Sequence, residues 1–254
     1  MKTHLIKEVD DPRLRDLYAF IDPLSYGSAL ERIPKLAILA SDDEFMMMDW
    51  PNIWYDEYRK YGESHLYIAP NAEHSLATGL FGVLSTATTF ARSIAIKATD
   101  RPDFEYKYDP SNGEITIIPK GGYKVHSVLM HHGETFSSER RDFRWIRQAN
   151  NRTAPCDWPY IPLPDDVANC VTPIFWHATK AEEVDGVYKI APPEPKKEGH
   201  WVGYYVSVSF QGDTEHLSIL KNKFTFSTPG YTWPNTLPFP DCDSREGTCI
   251  EQLV

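Results

Sequence analysis

A chain of 254 residues with a formal net charge of −10 argues against nucleic acid as a partner, since phosphate contacts need a basic face, and disfavours anionic membrane surfaces. Hydrophobic residues make up 41% and charged residues 24%, so the chain has apolar surface for a core and is not globally disordered. No run approaches the roughly 18 apolar residues of a membrane span.

In chain order, residues 1–33 read as a helix-and-loop entry punctuated by Asp22-Pro23 and Tyr26-Gly27. Pro34 opens Leu36–Ala40, an uninterrupted apolar run of the kind parallel strands show when both faces are covered. Trp54–Arg59 predicts a helix started around Asp49 and Pro51, and Leu66–Ala69 a second buried strand. After His74, Leu76, Leu80, Val83, Leu84, Ala87, Phe90, Ala91 and Ile94 fall on one stripe at helical spacing. Strand, helix, strand, helix is the closing βαβα of a doubly wound α/β sheet. The pattern then changes to period two. Phe104–Tyr108, Glu114–Ile118, Tyr123–Leu129, Phe143–Ile146, Thr172–Trp176, Gly203–Phe210 and Lys223–Phe226 predict short strands of a β-sandwich. The predicted division is a 1–100 α/β part and a 101–254 β part.

Two loops carry the chemistry. Strand Leu36–Ala40 ends in Ser41-Asp42-Asp43-Glu44-Phe45, and strand Leu66–Ala69 ends in Pro70-Asn71-Ala72-Glu73-His74. In a doubly wound sheet, residues just past strand C-termini converge on one crevice. Asp43 and His74 lie 31 positions apart, room for one helix and one strand, so their loops should be neighbours. A carboxylate that fixes the tautomer of a histidine is the acid and base of a Ser/Cys–His–Asp triad. Asp42, nearer the strand, is expected to point away. Singly, either residue reads as a helix N-cap or a loop polar group; together at matching strand ends they read as catalytic. Their order, acid then base, is the rear half of the α/β-hydrolase arrangement. No G-x-S-x-G elbow precedes them. Gly62-Glu-Ser64-His-Leu66 comes nearest, but Ser64 leads into a strand rather than leaving one.

Cys156, Cys170, Cys242 and Cys249 lie in loop-like surroundings and fit two disulfides, local closure being preferred among the three pairings that four cysteines allow. Their spacing disfavours zinc. Asn151-Arg-Thr153 is an N-glycosylation sequon. Disulfides and a sequon without an apolar leader in residues 1–10 suggest a missing N-terminus. His131-His132 reads as a solvated turn rather than a metal site, and His177, His200 and His216 as structural. Trp201, Tyr204 and Tyr205 fit either a sugar-stacking face or sandwich core. Asp241–Glu246 is acidic without calcium-loop spacing. No cofactor is predicted.

Ile21-Asp-Pro-Leu-Ser-Tyr26, Ala40-Ser-Asp-Asp-Glu-Phe45, Asn71-Ala-Glu-His-Ser-Leu76 and Arg141-Asp-Phe-Arg144 resemble the PhoPQ-activated pathogenicity-related family, which includes the autocrine proliferation repressor proteins of amoebae. The resemblance implies a secreted α/β-hydrolase-like protein with a β-rich C-terminal region, and by the Asp-Glu-Phe motif it puts Asp43 at the acid and His74 at the base position. It further implies a front half, with signal peptide and serine elbow, upstream of Met1. The partners expected are that missing N-terminal half of the hydrolase domain and a cell-surface receptor. A two-stranded parallel remnant would expose one edge, so the chain alone is expected to be inactive and to self-associate.

Overall fold

The structure, a computed structural model, describes residues 11–96, 100–138, 140–148, 161–163, 166–172, 174–212 and 223–237. Helix α1 (Pro12–Ile21) starts where Asp11 accepts a hydrogen bond from the Arg13 N–H at 2.8 Å, with Pro12 in the first turn, where its missing N–H is not needed. It stops at Asp22-Pro23, and the Asp22 carboxylate then caps a 3-10 segment, Pro23–Leu30. Strand β1 (Lys35–Ala40) is anchored at its entry by the Lys35 ammonium, which donates to the carbonyls of Leu30, Ile33 and Tyr61.

Helix α2 (Pro51–Arg59) crosses from β1 to β2 (Ser64–Ala69). The two strands pair in parallel with no slip, Lys35 opposite Ser64 and Ala40 opposite Ala69, so their C-terminal ends lie side by side. Every residue of β2 is buried.

Helix α3 (Leu80–Ala95) starts four residues later than the apolar stripe predicts, because Leu76 sits in a turn with φ 61°. The face it buries also differs from the prediction. Thr86, Phe90 and Ser93 are inside, whereas Leu80, Leu84 and Ile94 are exposed and Phe81 is 81% exposed. The small residues explain the choice. A Cβ at Gly82 would sit 2.4 Å from the Tyr67 hydroxyl, so only glycine lets the helix lie this close to β2.

The rest is antiparallel. Strands β3 (Asp103–Tyr108) and β4 (Ile115–Lys120) form a hairpin around Asp109–Gly113. The long β5 (Val125–Glu134) follows, then β6 (Ile146–Gln148), β7 (Ile161–Leu163) and β8 (Asp166–Val171). After these come β9 (His177–Lys180), β10 (Glu182–Val184), β11 (Val187–Ile190), β12 (Val202–Gln211), β13 (Lys223–Ser227) and β14 (Tyr231–Trp233). Their sheets run β10-β11-β4-β3, β13-β12-β5-β9 with β14 added to β12, and β6-β8-β7. Two predicted strands move. Only Ile146 of Phe143–Ile146 is in a strand, and the described residues of Thr172–Trp176 lie outside strands, the next strand beginning at His177. The unpredicted β10–β11 hairpin turns on Asp185 and Gly186, both at positive φ.

Strand β12 holds the interior together. Tyr204, Val206, Val208 and Phe210 pack with Phe104, Ile117, Val128 and Phe226, and α3 adds Phe90. Tyr205, on the other side of the strand, packs with Trp176, Trp201, Leu66 and Ile68. The α/β and β parts therefore share cores. Ile68 N–H donates to the Ser227 hydroxyl at 3.1 Å, and His65 stacks on Phe226 with ring centroids 4.0 Å apart. Ser227→Ala should leave the buried Ile68 N–H without a partner and cost about 1–3 kcal/mol, read as a lower urea midpoint at unchanged slope.

Candidate functional site: an acid–histidine pair at adjacent strand ends

The parallel register of β1 and β2 fixes the site, because two strands that end level deliver their following loops to the same place. His74 Nδ1 lies 3.1 Å from both carboxylate oxygens of Asp43. The carboxylate is itself held. Its Oδ1 accepts from the backbone N–H of Phe45 at 2.7 Å and of Met46 at 2.8 Å. Asp43 is 5% exposed while the His74 side chain is 52% exposed, so a buried acid supports a base that reaches solvent. The His74 backbone N–H donates to Glu44 Oε2 at 3.0 Å, and the Phe45 ring meets the imidazole edge-on at 4.7 Å. In the neutral tautomer that donates from Nδ1 to Asp43, Nε2 is the lone-pair nitrogen. Chemically this arrangement can accept a proton at Nε2 and stabilise the resulting imidazolium.

Asp42 turns the other way, into the protein, and is fully buried. Its Oδ1 accepts from the Trp176 indole N–H at 2.8 Å and its Oδ2 from the Ser41 hydroxyl at 2.7 Å. Ser41 Oγ accepts in turn from the Asn71 N–H at 2.9 Å. Asn71 closes the circuit, its Oδ1 accepting from the Trp176 N–H at 2.7 Å and its Nδ2 donating to the Trp176 carbonyl at 3.0 Å. This is why Thr172–Trp176 is not a strand: the backbone of Trp176 bonds to a side chain. The network joins the acid loop, the histidine loop and the β region, and sequence reasoning missed Ser41, Asn71 and Trp176. Trp176 sits 134 positions from Asp42, and no local pattern marks such a partner.

The other candidates fall elsewhere. Ser64 begins β2 and His74 follows its far end, so the strand, roughly 17 Å long, runs between them, and the Ser64 hydroxyl donates to the Gly62 carbonyl. His131 stacks on Tyr205 and meets Ser207 Oγ at 2.9 Å; burial lowers its pKa to about 4, so it is neutral. His132 faces His177 across β5 and β9, and His200 Nδ1 meets the Thr135 carbonyl at 2.8 Å. Trp201, Tyr204 and Tyr205 are core residues, not a sugar-stacking face. Among the described residues, no three His, Cys, Asp or Glu side chains gather as a metal site. None of the described helices is long and apolar enough to cross a membrane. Cys156, Cys242, Cys249, Asn151, His216 and residues 241–246 lie outside the described residues, and of Cys170 only the backbone, in β8, is described.

Burial pushes the Asp42 carboxyl up to about 7, against the hydrogen bonds from Ser41 and Trp176 that favour the anion. Between about pH 4 and pH 7 the folded chain thus keeps a proton that the unfolded chain has lost, and rising pH removes stability across that window. Asp42→Asn retains an acceptor for the indole and does not titrate. It should gain on the wild type by a few kcal/mol in order of magnitude as pH rises through this range, measured by urea unfolding at each pH. Glu63, held down to about 2 by Arg101 and His65 against burial, titrates below the window. His131 contributes equally to both proteins, so the difference between them isolates Asp42.

The sequence profile described as PhoPQ-activated pathogenicity-related protein matches residues 1–144. Autocrine proliferation repressor protein A of Dictyostelium discoideum is 29% identical over 242 residues, a stretch that covers 92% of this chain and 44% of that protein. The chain thus spans less than half the length of that relative. With more than half of its residues inside the matched profile, and with the Asp-Glu-Phe and Asn-Ala-Glu-His segments forming one site, the chain belongs to the PhoPQ-activated pathogenicity-related family.

Proposed function

We propose that the chain is the acid–base portion of a secreted α/β-hydrolase-like protein, followed by a β-sandwich-like region beginning near residue 101. The observation that carries this reading is the contact of both Asp43 oxygens with His74 Nδ1 at the level ends of two parallel strands. In the reaction proposed, His74 Nε2 removes the proton from a serine hydroxyl as the oxygen attacks a carbonyl carbon, and later returns it to the leaving group. Asp43 stays ionised, holds the tautomer and stabilises the imidazolium. The serine is proposed to come from polypeptide outside these 254 residues, since no strand–elbow–helix pattern occurs within them. The apolar residues that α1 and α3 expose, Leu17, Phe20, Ile21, Phe81, Leu84 and Ile94, support the reading that further polypeptide packs there.

In the longer protein, His74→Ala and Asp43→Asn should each lower kcat for a 4-nitrophenyl ester by about 10⁴-fold with little change in fold. The 254-residue chain alone should leave the ester intact. Hydrolysis by that chain, abolished by His74→Ala, would sink the idea of an external nucleophile.

A second reading rests on the relative's name. The chain would then belong to a secreted repressor of proliferation that acts through a cell-surface receptor, with the hydrolase-like fold as scaffold. Under it, longer protein carrying His74→Ala keeps full growth-repressing activity on cells. Loss of that activity by a folded variant would favour the hydrolase.

A further inference from the structure

A cavity of about 770 Å³ opens beside the acid loop. Phe45, Met46, Met47, Trp50, Tyr108 and Tyr231 line it. We propose that it binds a neutral aromatic group. If the acid–base reading of Asp43 and His74 holds, on which this second step rests, it is the subsite for the aromatic part of the ester or amide presented to His74.

Four observations carry the assignment. The volume lies within the roughly 300–1,000 Å³ of small-molecule sites. The lining is aromatic and thioether: Tyr108 and Tyr231 stack with centroids 4.1 Å apart, and methionine sulfur packs favourably against rings. The charges nearby cancel, which selects against an ionic ligand. Arg141 pairs with Asp49 at 2.9 Å and also donates to the Thr236 carbonyl. Finally, Phe45, Met47, Trp50 and Ile53 of the lining are exposed apolar side chains, a patch of the kind that takes an apolar ligand.

The cavity is mechanically part of the site already described. Phe45 lines it and touches His74, and the N–H groups of Phe45 and Met46 are the two that hold Asp43. An occupant therefore rests on the loop that orients the acid.

The chain has five methionines, of which Met46 and Met47 line the cavity while Met130 is buried in the β core. With ¹³C-methyl methionine in the 254-residue chain, N-acetyl-phenylalanine methylamide should shift the Met46 and Met47 methyl signals saturably and leave Met130 unmoved. N-acetyl-alanine methylamide should do neither at the same concentrations. Three results would overturn the proposal: no saturable shift, equal response to the alanine probe, or shifts that follow chain concentration instead of probe, which would mean a second copy fills the cavity. The readout involves no hydrolysis. Failure of the acid–base reading would leave a binding site standing, and failure of binding would leave the acid–base reading untouched.

Discussion

The hydrogen bond from the Trp176 indole to the buried Asp42 carboxylate is the interaction on which the rest of the site depends. It reaches from the β region into the turn after β1 and fixes one of two consecutive aspartates inward. The backbone then has no choice but to present the other, Asp43, toward the histidine loop. Asn71, bonded to both backbone groups of Trp176, does the same for the end of β2. Bonds within and between the two loops, through Ser41 and the Phe45 and Met46 N–H groups, add to what Trp176 supplies from outside them.

The same dependence appears in the packing. A two-stranded parallel sheet has too little area to bury its own residues, yet β2 is buried throughout. The missing cover comes from β13 and from the Tyr205 face of β12. β12 is buried on both sides because it serves two cores, and its sequence, Val202 to Gln211, is correspondingly dense in Tyr, Val and Phe. On the opposite side, β1 pairs only with β2 among the described residues, and α1 and α3 show apolar side chains to solvent.

What the sequence made legible follows from the range of the forces involved. Both strands of the parallel pair announce themselves as continuous apolar runs; burial of both faces removes the need for polar alternation in β2, while β1 is half-buried up to Ala40. Asp43 and His74 could be singled out because strand ends in such sheets converge. The burial of α3 was misjudged for a physical reason: a stripe of Leu and Ile gives a strong helical signal, but glycine and threonine permit closer approach, and Gly82 over Tyr67 decides the orientation. The Asp185-Gly186 turn has a short-range signal, an Asp-Gly pair suited to positive φ. Trp176 carried none, because a partner 134 positions away is set by the assembled fold and by nothing local.

Synthesis on the ribosome gives the hydrogen bond from Ile68 to Ser227 a temporal meaning. Asp43 and His74 are made before Trp176, which seats their loops, and before Ser227, which seats β2. At ordinary elongation rates of about 5–20 residues per second, the interval between His74 and Ser227 is on the order of ten seconds. During that time the apolar side chains of β2 lack the cover that β12 and β13 give them in the folded chain. The acid–histidine pair is thus made well before the groups that hold it in place.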